Sequence, residues 1–259
     1  MALIIGLTPP RSVTAVSSAP HQTATRKGPQ APALRPHPLP AALLNVCDVS
    51  AREDILHASD RQPEGQTYFE AVRPVSIGYL LWTELPVKLY VAPLTAVHPD
   101  LVARWQAAVT TAVSDWTQYF PVAEVSGPEQ ADIRLYPVMP PLRYRPGAGF
   151  RAQSGEARYE LYLKNAESPV LAHRFDVKVK PGQAPRQLEA TLRHELGHAL
   201  GLWGHSRNPE DALYYSQTSA PPPVSPRDVA TLCQVYRQPT ALGWPPTEGE
   251  AVSYGPAWE

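Results

Sequence analysis

Three histidines and a glutamate have the types and spacing needed to hold and use a metal ion. They lie in the run His194-Glu195-Leu196-Gly197-His198-Ala199-Leu200-Gly201-Leu202-Trp203-Gly204-His205. His194 and His198 are four positions apart, so on a helix they share one face, one turn from each other. Two imidazoles so placed reach a single ion, and zinc accepts such nitrogen ligands in tetrahedral geometry. Glu195 follows the first histidine, where its carboxylate reaches a water on the ion without ligating the metal. Gly201 can adopt the left-handed backbone that ends a helix, and His205 follows within reach of the metal after that turn. Three protein ligands leave the fourth position to water, the pattern of a catalytic rather than a structural zinc site. The natural chemistry is hydrolysis of a carbonyl compound. Zinc activates water and polarises the carbonyl, while Glu195 carries a proton to the leaving amine. The bland alternative, two histidines on a solvated helix face, does not account for the glycine turn, the third histidine or the apolar helix that carries the pair.

Several elements must position these residues. A helix over 185–200 buries Leu188, Leu192, Leu196 and Ala199 along one side. A longer helix is predicted over 98–120, with Pro99 in its first turn beside Asp100 and an apolar stripe of Leu101, Trp105, Ala108, Val109, Ala112, Val113 and Trp116. A last helix starts at Pro226, with Ser225 as cap and Asp228 completing a capping box. Alternation predicts strands at 87–91, 131–136, 158–163 and 174–179. An apolar run at 75–82 should pack on the core. The order of strand, helix and three strands before the metal-site helix suits an α+β fold, a mixed twisted sheet with long helices laid across it.

Composition narrows the function classes. The chain has 259 residues and a formal net charge of -1, so no charge excess points to nucleic acid or to an anionic membrane. No apolar run reaches the length of a membrane span. The N-terminus has a short apolar stretch without a basic flank, at most a truncated signal peptide, so export stays open. There are 31 prolines, many of them near the N-terminus. Residues 1–40 read as a disordered proline-rich leader, 41–84 as an extension packing on the core, 85–240 as the catalytic domain and 241–259 as a tail. The two cysteines, Cys47 and Cys233, either form one bridge from the start of the core to the last helix in an exported protein, or stay as thiols in the cytosol. An extracellular or periplasmic site is slightly favoured over the cytoplasm. Nothing suggests a coiled coil or a repeat, and a monomer is expected.

The site motif resembles that of the metzincins, specifically the matrixin-like peptidases found in bacteria. The family pattern is His-Glu-x-x-His-x-x-Gly-x-x-His followed by a turn with methionine. His194, Glu195, His198 and Gly201 match it in register. The stretches 205–214, 225–228 and 131–134 resemble the family's segment from third ligand to Met-turn, the start of its last helix and the strand after its first helix. The likeness covers about residues 85–240. It implies a metzincin-like zincin domain with one catalytic zinc held by His194, His198 and His205, Glu195 as general base, and a peptide or protein substrate. There are two departures. Gly204 stands where the third histidine is expected and His205 follows it. Leu213 stands at the Met-turn, where it can serve the same packing role. Tyr215 matches a position that reaches the metal or the oxyanion in some subfamilies, against a plain packed aromatic; Tyr214 is expected to be structural and to shape the pocket with the prolines at 221–223. The family's substrate pairs with an edge strand, for which 159–163 is the candidate. The scattered acids Asp176, Glu210 and Asp211 read as solvated surface rather than a calcium loop, and His173 as a surface or packed histidine. The surroundings of Cys47 do not resemble a latency switch. Two further functions remain open beside an endopeptidase: a zinc hydrolase of small amides or peptide ends, and a catalytically silent zinc-binding protein.

Overall fold

The computed structural model describes residues 32–48, 66–95, 98–145, 149–151, 153–246 and 256–258. The fold is α+β, and its helices are α1 (Ala41–Cys47), α2 (Pro99–Thr117), α3 (Pro185–Ala199) and α4 (Pro226–Val235). The strands are β1 (Val87–Val91), β2 (Val122–Glu124), β3 (Ile133–Tyr136), β4 (Arg143–Arg145), β5 (Gly149–Arg151), β6 (Gly155–Lys164), β7 (Val170–Val179) and β8 (Pro256–Trp258). Six of them form one sheet in the order β2-β1-β3-β7-β6-β8. The pairs β1–β2, β1–β3 and β3–β7 are parallel, whereas β6 runs antiparallel to both β7 and β8. β4 and β5 make a separate antiparallel pair.

The helices form where local signals agree. α2 begins at Pro99 and buries Trp105, Ala108, Val109, Ala112 and Trp116. The helix ends at Thr117, short of the predicted Phe120, and the N–H groups of Tyr119 and Phe120 share the Trp116 carbonyl in a terminal turn. α3 starts with Pro185 in its first turn and buries Leu188, Leu192, Leu196 and Ala199. The two helices are tied by Trp116 Nε1–H donating to the Arg193 carbonyl at 2.8 Å and by Arg193 pairing with Asp115. At the C-terminus of α3, the free carbonyl of Ala199 accepts from Trp82 Nε1 and that of Leu200 from the Tyr236 hydroxyl. Gly201 has φ 121° and a Cβ there would lie 2.8 Å from the Leu80 carbonyl, so this turn requires glycine. α4 carries the capping box: Ser225 accepts from the Asp228 N–H, and Asp228 accepts from the Ser225 N–H.

Two strands are longer than their alternation suggests. β7 begins at Val170, four residues before the predicted start, and its inward face runs Leu171, His173, Phe175, Val177 and Val179. A buried histidine at an inward position hides the pattern; His173 is stacked on Trp82, with ring centroids 3.9 Å apart. β6 begins at Gly155 and pairs with β7 along its whole length. Its other side, the edge expected over 159–163, is partly covered, because β8 pairs with Arg158, Tyr159 and Glu160 there.

The segment before β1 is docked on the core from early on. The Arg35 N–H bonds to the Thr240 carbonyl and His37 Nε2 lies 2.7 Å from the Leu242 carbonyl, so docking starts before the boundary expected at residue 40. Most of the expected leader lies outside the described residues. Leu43, Cys47, Tyr68, Val72, Ile77, Leu80, Leu81 and Trp82 enter the core from the 41–84 extension. A disulfide joins Cys47 on α1 to Cys233 on α4. Ala241 and Leu242 are also buried, so the core continues past residue 240. No helix among the described residues is long and apolar enough to cross a membrane.

Candidate metal centre

α3 presents His194 and His198 from successive turns, and the turn at Gly201 brings His205 back to face them. One ligand atom from each of the three lies within 4.8 Å of the others. The residue before His205 packs closely against the extension. A Cβ on Gly204 would fall 2.1 Å from the Ala71 carbonyl oxygen, so only glycine lets this loop lie against the extension.

The chemistry of the donor set fits a zinc ion. His194 Nδ1 lies 2.9 Å from the Ala212 carbonyl and His198 Nδ1 lies 2.7 Å from the Leu202 carbonyl. A carbonyl only accepts, so each Nδ1 carries the proton and each Nε2 presents its lone pair. The two Nε2 atoms stand 3.2 Å apart. Two lone pairs that close repel unless a cation lies between them. Tetrahedral zinc with bonds of about 2.05 Å separates two nitrogens by about 3.3 Å. Burial, with the neighbouring His198 and His205, holds His194 well below the usual histidine range. Burial and His205 push His198 down to about 3. Both rings are therefore neutral near pH 7, the form that binds metal.

Glu195 is buried on the same helix and lines the cleft with the three histidines. β6 starts directly against it, since a Cβ on Gly155 would sit 2.6 Å from the Glu195 side chain. Two cavities meet at this point, sharing Gly155, His194 and Glu195. One is a cleft of about 1400 Å³ bordered by Gly155, Glu156, Ala157 and the extension at Tyr68 to Val75. The other, of about 630 Å³, lies between α3 and the loop 214–222. That loop is fastened to the helix by Gln187 Nε2 donating to the Thr218 carbonyl and by Arg193 donating to the Pro222 carbonyl.

Neither a family model nor a curated protein matches this chain.

Of the residues singled out in the sequence, His194, Glu195, His198, His205 and Tyr215 line one cleft. Leu213 is fully buried beneath α3, and a Cβ on Gly197 would meet it at 2.6 Å. Tyr215 is 63% exposed and borders both cavities, so it is not a packed aromatic. Tyr214 is half-buried and borders the smaller cavity; the hydrogen bond with Tyr215 raises its hydroxyl. His173 is in the sheet interior, away from the three histidines, and burial pushes it down to about 3.

One reading of the acids needs correction. Asp211 is not solvated but wholly buried. It accepts hydrogen bonds from the hydroxyls of Ser206 and Ser225, and from Arg227 at 3.1 Å. Asp228 also does more than cap its helix. It accepts from the N–H groups of Ala212 and Leu213 and from the Tyr68 hydroxyl at 2.7 Å. These two carboxylates fix the loop that carries Ser206, the Ala212 carbonyl behind His194, and Leu213. Burial raises Asp228, and its hydrogen bonds oppose that rise. Sequence reasoning missed Asp211 as an organiser. The available signal was a carboxylate between the third histidine and a serine-capped helix.

Proposed function

We propose that this chain is a zinc-dependent endopeptidase of the metzincin type. The observation that carries the reading is the convergence of three imidazoles, two of them turning Nε2 towards each other, beside a buried glutamate at the junction of two cavities. His194, His198 and His205 would hold the ion. Zinc held there would supply Lewis acidity at a carbonyl and lower the pKa of water to about 7. Glu195 takes a proton from the attacking water on its carboxylate oxygen and returns it to the leaving nitrogen. The Ala212 and Leu202 carbonyls orient the two helical imidazoles and raise their basicity. Tyr215, at the rim of both cavities, would donate its hydroxyl to the developing oxyanion.

The cleft volume and the strand bordering it favour an extended chain over a small amide. Retention of Glu195 favours turnover over silent metal binding, because a base is not needed merely to hold an ion. The parallel order β2-β1-β3-β7 with antiparallel β6, the glycine turn and Leu213 under the helix support the metzincin assignment. In this reading the smaller cavity takes a substrate side chain, with Tyr214 and the loop at 221–223 as its wall. The Cys47–Cys233 disulfide supports an oxidising compartment outside the cytosol, and the protein acts there as a monomer.

Metal titration with a coupled peptide assay tests the reading. Metal-free protein should take up one zinc per chain and gain amide hydrolysis in proportion. His194→Ala and His198→Ala should lose both properties together. Zinc uptake without hydrolysis of any peptide would leave only a metal-binding protein.

A further inference from the structure

The strand that borders the cleft already has a partner. β8 pairs with β6 in the register Arg158 opposite Trp258, Tyr159 opposite Ala257 and Glu160 opposite Pro256. β6 runs from Gly155, which touches Glu195, away from the metal centre. Arg158 is three positions along it, about 10 Å from Gly155 at the rise of a strand. Because β8 is antiparallel, it runs towards the metal centre, from Pro256 opposite Glu160 to Trp258 opposite Arg158. An extended peptide crossing the cleft antiparallel to β6 would run the same way. Its residues opposite Gly155, Glu156 and Ala157 would lie beside Glu195, and the residues N-terminal to them would fall on Arg158, Tyr159 and Glu160. Those three positions are the ones β8 fills.

We infer that β8 is an intramolecular competitor for the substrate-binding edge of β6, displaced by peptides that extend N-terminal to the scissile bond. This rests on the endopeptidase reading and adds to it a restriction on substrate length. The physical basis is the capacity of a sheet edge to take any extended chain through main-chain hydrogen bonds. A tethered segment competes at an effective concentration in the millimolar range even when its own pairing is weak. Three residues of pairing are few enough for a longer peptide to replace them. Pro256 has no N–H, and the N–H groups of Ala257 and Trp258 point to opposite edges, so the strand offers β6 one main-chain donor.

The test uses the full chain and a variant carrying both Ala257→Pro and Trp258→Pro, which removes the remaining main-chain donors of β8. Two fluorogenic peptides share one cleavage site, with either two or six residues before the scissile bond. Releasing the edge should lower KM for the longer peptide by about threefold or more, the scale set by a tethered competitor near millimolar effective concentration. KM for the shorter peptide and kcat for both should stay as they are. Equal KM values for the longer peptide in both proteins would overturn the inference. Hydrogen exchange of the segment 158–160 gives a readout independent of turnover. Protection there should drop in the variant and return when the longer peptide is added; unchanged protection would also overturn the inference. If neither protein cleaves either peptide while exchange behaves as expected, the endopeptidase reading fails and the strand competition stands.

Discussion

Leu213 offers a clean separation of packing from chemistry beneath the metal centre. It is fully buried and touches α3 at Gly197, between the two helical histidines. Trp116 lies on the same side, 2.8 Å from where a Cβ on Gly197 would be. Leu213→Ala removes three buried carbons, worth about 2.4 kcal/mol at roughly 0.8 kcal/mol each. An indole and a glycine-thinned helix leave little that can collapse into the space, so the cavity should add about 1–2 kcal/mol. The expected loss is therefore about 3–4 kcal/mol, read from urea unfolding of the metal-free protein. The next residue back, Ala212, supplies the carbonyl that orients His194, so zinc affinity should fall by about tenfold or more, as when a group behind a ligand is disturbed. Leu213→Met keeps the volume and should cost less than about 1.5 kcal/mol, with zinc affinity unchanged. A loss below about 1 kcal/mol for the alanine variant would refute the packing account. So would a methionine variant that folds normally but loses zinc.

Three further outcomes follow from buried groups. His173 is held neutral down to about 3 by burial, whereas the unfolded chain takes up its proton near 6.5. Its contribution to stability therefore falls as pH drops from about 6.5 towards 3. Between pH 7 and 4.5, wild type should lose about 2–3 kcal/mol more than His173→Phe in parallel urea melts, both free of metal. Asp211→Asn puts an amide among two hydroxyls and an arginine in a fully buried position. It should cost about 2–4 kcal/mol in thermal or urea unfolding and loosen the loop after His205, lowering zinc affinity by about tenfold or more. Reduction of the Cys47–Cys233 bridge, which closes a sequence separation of 186 residues, should lower stability by about 5 kcal/mol in the loop-entropy account. Denaturation with and without reductant checks this against the double serine variant.

What was legible in the sequence was coded locally. The metal-site helix, the capping box at Ser225 and the strand over Val87–Val91 each carry their signal within a few residues. The three histidines could be assembled because the helix repeat and one glycine turn bring them together. What was hidden depends on residues far apart in the chain. Asp211 looks like surface until Ser206, Ser225 and Arg227 fold around it. β7 was read four residues short because His173 occupies an apolar position, stacked on a tryptophan from the extension. The covered edge of β6 was invisible because three residues have no periodicity, and their partner lies about a hundred positions away.

In the proposed reading, Glu195 beside three histidines makes this protein an endopeptidase. Its most direct test is digestion of a reduced, alkylated and unfolded protein by zinc-loaded wild type and by Glu195→Ala, with products read by mass spectrometry. Wild type should make internal cuts that stop on chelation and return with zinc. Glu195→Ala should bind zinc equally well and cut about 10²- to 10⁴-fold more slowly, the usual contribution of a positioned acid–base group. No internal cuts by folded, zinc-loaded wild type, or equally fast cutting by the alanine variant, would contradict an endopeptidase built on Glu195.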